Sequence, residues 1–366
     1  MNFDFSDDQR MLRDHARRFL SETCDFPALR AALADGAGYQ RSVWEQIIQQ
    51  GWQSVAVDEA LGGLGLGMLE LCVLSEELGR SVAAVPFFTT VSLGTEVLKR
   101  CPERSEEVLA KVVTGTATLA VSLVTPGQDW SASALQLSKG SLSGQTGPLA
   151  YAAQADYAVL PALDAQSPVW VVVDLKSVQR IPVTSFDPSV PFARLVFDSV
   201  PATELCRDDL ALNLMSRIVD QAAVLIAFEQ LGGAERALGM ARDYALNRHT
   251  FGRPIGAYQA VKHRLADMAV KIELARSNAY YGAWALEGAS DETLGAAAAL
   301  ARISASDAFE FAAEECLHLH GGIGYTWEAD CHFLYKRARV LGAQLGPSSA
   351  WIDRLLSDES LQVLHS

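Results

Sequence analysis

Only six of the 366 residues are cysteine, and no two of them stand in Cys-x-x-Cys spacing. Cys24, Cys72, Cys101, Cys206, Cys316 and Cys331 are scattered, which argues against a disulfide frame and fits reduced thiols in a cytoplasm. Positive charge is also short. The 30 Lys and Arg face 44 Asp and Glu for a net charge of −14, so the global basic field that favours nucleic-acid binding is missing. No 18 consecutive apolar residues occur, so no membrane span is expected. The amino-terminal MNFDFSDDQR is acidic and lacks the basic-then-apolar layout of a secretory signal. No Gly-x-Ser-x-Gly elbow is present for a serine hydrolase.

What is present is the mixture of a globular protein, 49% apolar and 20% charged, long enough for two or three units. The texture predicts an α+β, mostly α architecture in three parts. Residues 1–115 read as an N-terminal helical domain, with Phe5, Met11, Leu12, Phe19 and Leu20 at helical spacing behind Ser6, a plausible N-cap. Residues 116–205 carry short β-rich runs, among them Leu119–Val124, Tyr157–Leu160 and Val169–Val173, and a hairpin through Lys139-Gly140. With no helix between them, these runs predict a small antiparallel barrel or sandwich. Residues 206–366 return to long helical stretches, Ile218 to Ala245, Ala260 to Leu286 and Leu294 to Leu317, which with a fourth helix predict an antiparallel four-helix bundle.

Two motifs attract a chemical reading on residue type alone. Gly62-Gly63-Leu64-Gly65-Leu66-Gly67 is glycine-rich, yet it has neither a Gly-Lys-Ser/Thr ending nor a strand leading into a GxGxxG helix start; a tight interhelical turn is the better reading. Cys316, His318, His320, Cys331 and His332 lie close in sequence without standard ligand spacing, so no metal is expected and small core thiols are favoured.

A third group of residues carries a resemblance. Arg248-His249-Thr250-Phe251-Gly252-Arg253-Pro254-Ile255-Gly256, with Tyr258-Gln259 and Lys262 to Met268, resembles a block of the acyl-CoA dehydrogenase family. His318-Leu319-His320-Gly321-Gly322-Ile323-Gly324-Tyr325 is similar to that family's glycine turn late in the bundle, and Gly51-Trp52, Asp58-Glu59 and Glu76-Glu77-Leu78-Gly79-Arg80 to its amino-terminal region. The chemistry suits a dinucleotide: a guanidinium can pair two pyrophosphate oxygens, and a glycine pair lets backbone N–H groups approach an anion. The resemblance implies FAD as cofactor, bound mainly to a neighbouring subunit, with Arg248, Thr250, Phe251, Gln259, His318, Gly321 and Gly322 contacting it.

The sequence also departs from that family. Dehydrogenation needs a carboxylate to take the α-proton of an acyl-CoA, and the family keeps a glutamate before a glycine just past the late-bundle turn. Leu345 stands there. A minority of members place the glutamate on the helix ahead of the Arg-x-x-Phe-Gly turn, where this chain has Ala222. Asp220 and Glu229 share that helix and are weak candidates, since a two-residue step points about 160° away from position 222. The catalytic base is therefore unassigned. The β segment keeps only an outline, Ser122 to Gly127, of one flavin-ring motif, and Leu142 to Ala152 lacks the Lys-Trp pair of the other.

This pattern resembles the smaller, non-identical subunit of heterotetrameric α2β2 acyl-CoA dehydrogenases of bacterial steroid side-chain degradation. It implies a cytoplasmic flavoprotein oxidoreductase of lipid metabolism, acting on a bulky steroid or polycyclic acyl-CoA beside a partner subunit that supplies the glutamate. Electron-transferring flavoprotein would be the acceptor, with no nucleic acid and no membrane involved. The alternatives are a self-contained FAD enzyme of this fold with a relocated base, and a flavin-free binding or structural member.

Overall fold

The computed structural model describes residues 5–36, 38–130 and 134–357; the first four residues of the acidic amino terminus lie outside them. The helices of the first part are α1 (Asp7–Thr23), α2 (Phe26–Ala34), α3 (Arg41–Gln49), α4 (Met68–Arg80), α5 (Glu96–Lys99) and α6 (Pro102–Val113). Ser6 caps α1 as its sequence predicts: its Oγ accepts from Gln9 N at 3.2 Å, and Gln9 Oε1 accepts from Ser6 N at 3.0 Å. The glycine-rich run is a turn between 3₁₀ and α segments. Its amides donate inward, Leu64 N to Ser54 O at 3.1 Å, Gly65 N to Val57 O at 2.8 Å and Leu66 N to Val55 O at 3.0 Å. No cradle of free N–H groups is left there for a phosphate.

The middle part supplies β1 (Leu119–Val121), β2 (Gln136–Ser138), β3 (Ser141–Gln145), β4 (Leu149–Ala150), β5 (Tyr157–Asp164), β6 (Ser167–Asp174), β7 (Gln179–Val183), β8 (Phe192–Pro201) and β9 (Thr203–Arg207). They form one sheet in the order β4-β8-β3-β2-β5-β6-β9, with β1 added on β5 and β7 on β8. Its buried side is built by strand alternation: Ala158, Leu160 and Ala162 of β5 meet Val169, Val171 and Val173 of β6 and Leu195 and Phe197 of β8. The β2–β3 hairpin turns at Lys139 and Gly140, both at positive φ, 48° and 76°. In one respect the sheet differs from the expected antiparallel barrel or sandwich. It is mixed, because β1 and β2 both run parallel to β5 (Leu119 opposite Tyr157, Gln136 opposite Leu163), and no closed barrel forms among the described residues. Both strands reach β5 through long connections rather than tight turns, and only such connections permit parallel pairing.

After the sheet come α7 (Asp208–Asn247), a small hairpin of β10 (His249–Thr250) and β11 (Arg253–Pro254), α8 (Gln259–Leu286), α9 (Asp291–His320), α10 (Cys331–Ala343) and α11 (Ser348–Ser357). α7 is long and apolar enough to cross a membrane by length and composition, but 72% of its most apolar window is buried inside the protein.

The compact units follow contacts, not sequence order. One unit comprises residues 28–71 and 84–222, and holds the sheet; the other gathers residues 1–27, 72–83 and 223–366. The second unit is held at a close crossing of α4 and α7. A Cβ on Gly232 would collide with the Glu76 carbonyl oxygen, and one on Gly79 with that of Glu229. Gly233 faces the Phe309 ring of α9 in the same way. These glycines therefore do not break α7, which runs on as one helix of 40 residues. Around the crossing, Glu77 receives Arg17 (2.7 and 3.0 Å) and Arg80 (3.2 Å), Glu76 receives Arg80 and Arg276 (3.3 Å each), and Glu235 receives both Arg80 and Arg276. Three carboxylates and three guanidiniums thus join α1, α4, α7 and α8.

Gly232→Ala is expected to destabilise by about 3 kcal/mol, because backbone cannot move aside for the new methyl. Gly239→Ala, where a Cβ meets open space, should instead stabilise by up to about 1 kcal/mol. Denaturant titration of the two variants separates the crossing from helix propensity. Glu77→Leu should cost about 3 kcal/mol, near the lower end for a broken buried pair because Arg17 can turn to water; a loss below about 1 kcal/mol would make the network ornamental.

Candidate functional site

Arg248 ends α7. Its N–H donates to Tyr244 O at 2.8 Å, and its carbonyl accepts from Ile255 N at 2.8 Å, closing the β10–β11 hairpin onto the helix end. The two turn residues, Phe251 and Gly252, have φ of 53° and 79°. Two positive φ values in a two-residue hairpin suit Asn-Gly, so a phenylalanine in the first place is strained. Its ring gains nothing from this chain in return, being 92% exposed. Tyr258 Oη donates to Thr250 O at 3.0 Å, and the Arg253 guanidinium lies over the Tyr258 ring at 4.1 Å; together they fix the hairpin beside the start of α8, where Gln259 is the first residue.

The late-bundle glycine turn is brought to the same place. His320, the last residue of α9, stacks on Tyr244 of α7 with ring centroids 4.3 Å apart, and its Nδ1 lies 2.7 Å from Cys316 O. Arg264 of α8 reaches Glu315 of α9 at 3.7 Å, and His318 Nδ1 is 3.9 Å from the same carboxylate. Gly321 then turns at φ 64° and ψ −145°, a region essentially closed to residues with a Cβ. A Cβ on Gly321 or Gly322 would meet nothing within 4 Å. The structure therefore gathers Arg248, Thr250, Phe251, Gln259, His318, Gly321 and Gly322 around the carboxy ends of α7 and α9 and the amino end of α8. Tyr244, whose stack with His320 joins the two blocks, carries no motif that reveals it in the sequence.

The donor set suits a dinucleotide. The Arg248 guanidinium makes no hydrogen bond or ion pair among the described residues, its carbonyl is tied to Ile255 just ahead of the positive end of the 28-residue α8, and the glycine pair leaves backbone open. A neighbouring pocket of about 550 Å³ along α7 is also lined by arginines: Arg80 is bound to Glu235, Arg242 to Asp243 (2.8 Å), and the Arg236 guanidinium lies 5.5 Å from the centre of the Phe26 ring. No group of three His, Cys, Asp or Glu side chains among the described residues could hold a metal ion. Donating its S–H to Cys331, together with burial, pushes the Cys316 thiol up and away from the thiolate a metal would need.

The two positions at which the family resemblance places a carboxylate are apolar. Ala222 is fully buried on α7, and Leu345 is 7% exposed at φ 61°. Glu229 is held by Arg337, whose Nη1 lies 3.3 Å from its carboxylate and also donates to Ala83 O at 3.2 Å. Asp220 is buried two positions before Ala222. In the sheet unit, the Ser122–Gly127 stretch uses its polar groups internally: Thr125 N and Oγ1 both donate to Gln128 Oε1 at 3.1 Å, and Ser122 N to Val159 O at 3.2 Å.

Residues 6–116 match the acyl-CoA dehydrogenase N-terminal domain, and residues 212–355 the acyl-CoA dehydrogenase C-terminal domain. The chain is 32% identical over 356 residues to acyl-CoA dehydrogenase IpdE2 of Mycobacterium tuberculosis, across 96% of this chain and 97% of that protein. It is similar to a chain of the Tcur3481–Tcur3483 steroid ACAD, with a TM-score of 0.87 and 27% identity over 98% of this chain and 99% of that one. A chain of the ChsE4–ChsE5 complex from Mycobacterium tuberculosis shares the fold at 24% identity, with a TM-score of 0.86 over 98% and 99% of the two chains. The chain belongs to the acyl-CoA dehydrogenase family, and with that membership come the oxidoreductase class and the FAD cofactor expected from its sequence.

Because Phe251 and the Arg248 guanidinium are exposed, Arg248→Ala and Phe251→Ala should each shift the stability of the isolated chain by under about 0.5 kcal/mol. A larger loss in thermal or denaturant melts would mean that these side chains serve this chain's own fold.

Proposed function

We propose that this chain is the non-identical subunit that completes an FAD-dependent acyl-CoA dehydrogenase of α2β2 type in the cytoplasm. The observation that carries this reading is an asymmetry. The Arg248 guanidinium has no hydrogen bond or ion pair among the described residues, the Phe251 ring is exposed and Gly321 and Gly322 leave open backbone, while both positions for a catalytic carboxylate hold apolar side chains. When bound, FAD supplies the hydride acceptor for α,β-dehydrogenation of the acyl-CoA. Arg248 would pair oxygens of its pyrophosphate, Phe251 would pack against it, and Gly321 and Gly322 would admit it to backbone distance, with Thr250, Gln259 and His318 around them. The partner subunit would seat the flavin ring and carry the glutamate that takes the α-proton, and electron-transferring flavoprotein would receive the electrons. A steroid or other polycyclic acyl-CoA is the proposed substrate, a reading supported by the likeness to a steroid ACAD.

The test is flavin absorbance and native mass of the chain purified alone and co-expressed with an acyl-CoA dehydrogenase encoded beside it. The expected result is a colourless chain alone and a yellow α2β2 species with half the usual flavin per subunit. In that species Arg248→Ala should weaken FAD retention about tenfold or more, the worth of a charge-assisted hydrogen bond. A yellow homo-oligomer that bleaches on adding an acyl-CoA would overturn the proposal and turn attention to Asp220 and Glu229 as relocated bases.

A further inference from the structure

The turn that carries position 345 is held more firmly than a surface loop needs. Leu345 and Gly346 follow each other at φ 61° and 86°, a left-handed pair in which the leucine is disfavoured. Arg302, fully buried on α9, reaches the turn from inside the bundle. Its Nη2 donates to the carbonyls of Leu341 (3.0 Å), Gly342 (2.9 Å) and Gln344 (2.6 Å), and its Nη1 to Gln230 Oε1 (3.3 Å) and to Ser306 Oγ. Leu341 and Gly342 belong to the last turn of α10, where carbonyls lack intrahelical donors and gather the negative end of the helix dipole. Every acceptor in the set is neutral, and burial pushes the Arg302 guanidinium down to about 10. From the opposite side Trp351 Nε1 of α11 donates to Leu345 O at 2.8 Å.

We infer that Arg302 is a positioning residue that locks the Gln344–Gly346 turn in the left-handed shape in which it presents position 345. A carboxylate is then missing at position 345 through the identity of one side chain, on a scaffold that still stands. This holds whichever subunit seats the flavin, so its failure and that of the α2β2 reading are separate results.

The experiment is fluorine NMR of the full chain carrying 5-fluorotryptophan, with the Trp351 resonance assigned by Trp351→Phe and its indole N–H exchange measured. Arg302→Met should speed that exchange at least tenfold, because the carbonyl clamp is gone while the volume is kept. Arg302→Lys should fall between wild type and Met, since one ammonium cannot serve the three carbonyls and the Gln230 and Ser306 side chains at once. Ser306→Ala, which removes a partner of Arg302 without touching the turn, should leave Trp351 protected. A folded Arg302→Met chain with wild-type exchange would overturn the inference, as would Ser306→Ala exposing Trp351 as much as Met does. Should Arg302→Met not fold, Arg302→Lys decides alone: exchange indistinguishable from wild type sinks the idea.

Discussion

The close crossing of α4 and α7 is the constraint on which the bundle unit depends. Two helices whose glycines face each other's carbonyls can approach only in one register, and Gly79 with Gly232 fixes it. The charges of Glu76, Glu77 and Glu235 are then brought together in a largely buried setting, where three carboxylates alone would repel strongly. Arg17, Arg80 and Arg276 offset them one for one, each coming from a different helix. Such a network is more valuable for specifying a single arrangement than for net stability, since desolvation consumes much of the attraction. Its result is an α7 anchored at Glu229–Glu235, more than three turns before Arg248, so that the helix delivers Arg248 to a defined place.

From that anchored helix the candidate site follows by short links. Tyr244 lies one turn before Arg248 and stacks on His320, one residue before Gly321. The two glycine-bearing turns are thereby held near each other by this stack. Backbone strain collects at the turns: Phe251 and Leu345 take positive φ, and Gly321 takes a conformation open to glycine alone. Strain of this kind persists only where the surroundings over-determine it, by the Tyr258 and Arg253 contacts at one turn and by Arg302 and Trp351 at another.

Buried arginines recur in the bundle with different solutions. Arg337 is neutralised by a carboxylate, Glu229, and ties it to the Ala83 carbonyl. Arg302 has carbonyl and amide oxygens and a hydroxyl, and its charge rests on the end of a helix dipole. The first arrangement ties Glu229 to a structural partner. The second ties the end of α10 and the turn after it to the inside of the bundle.

Much of this was legible in the sequence because it is local. Ser6 before a helical period announces α1, Lys139-Gly140 between two short β runs announces a hairpin, and Arg248 with the Phe-Gly turn and the later glycine pair carry the family resemblance. Leu345 and Ala222 are visible as missing carboxylates for the same reason: identity at a position is what a sequence records. What tertiary structure decided is non-local. The parallel pairing of β1 and β2 with β5, the assignment of residues 72–83 to the bundle unit, the Tyr244–His320 stack and the Arg302 clamp all join residues far apart in the chain. Periodicity and composition carry side-chain identity along the chain but not the distance between two segments, and each of these features exists only as such a distance.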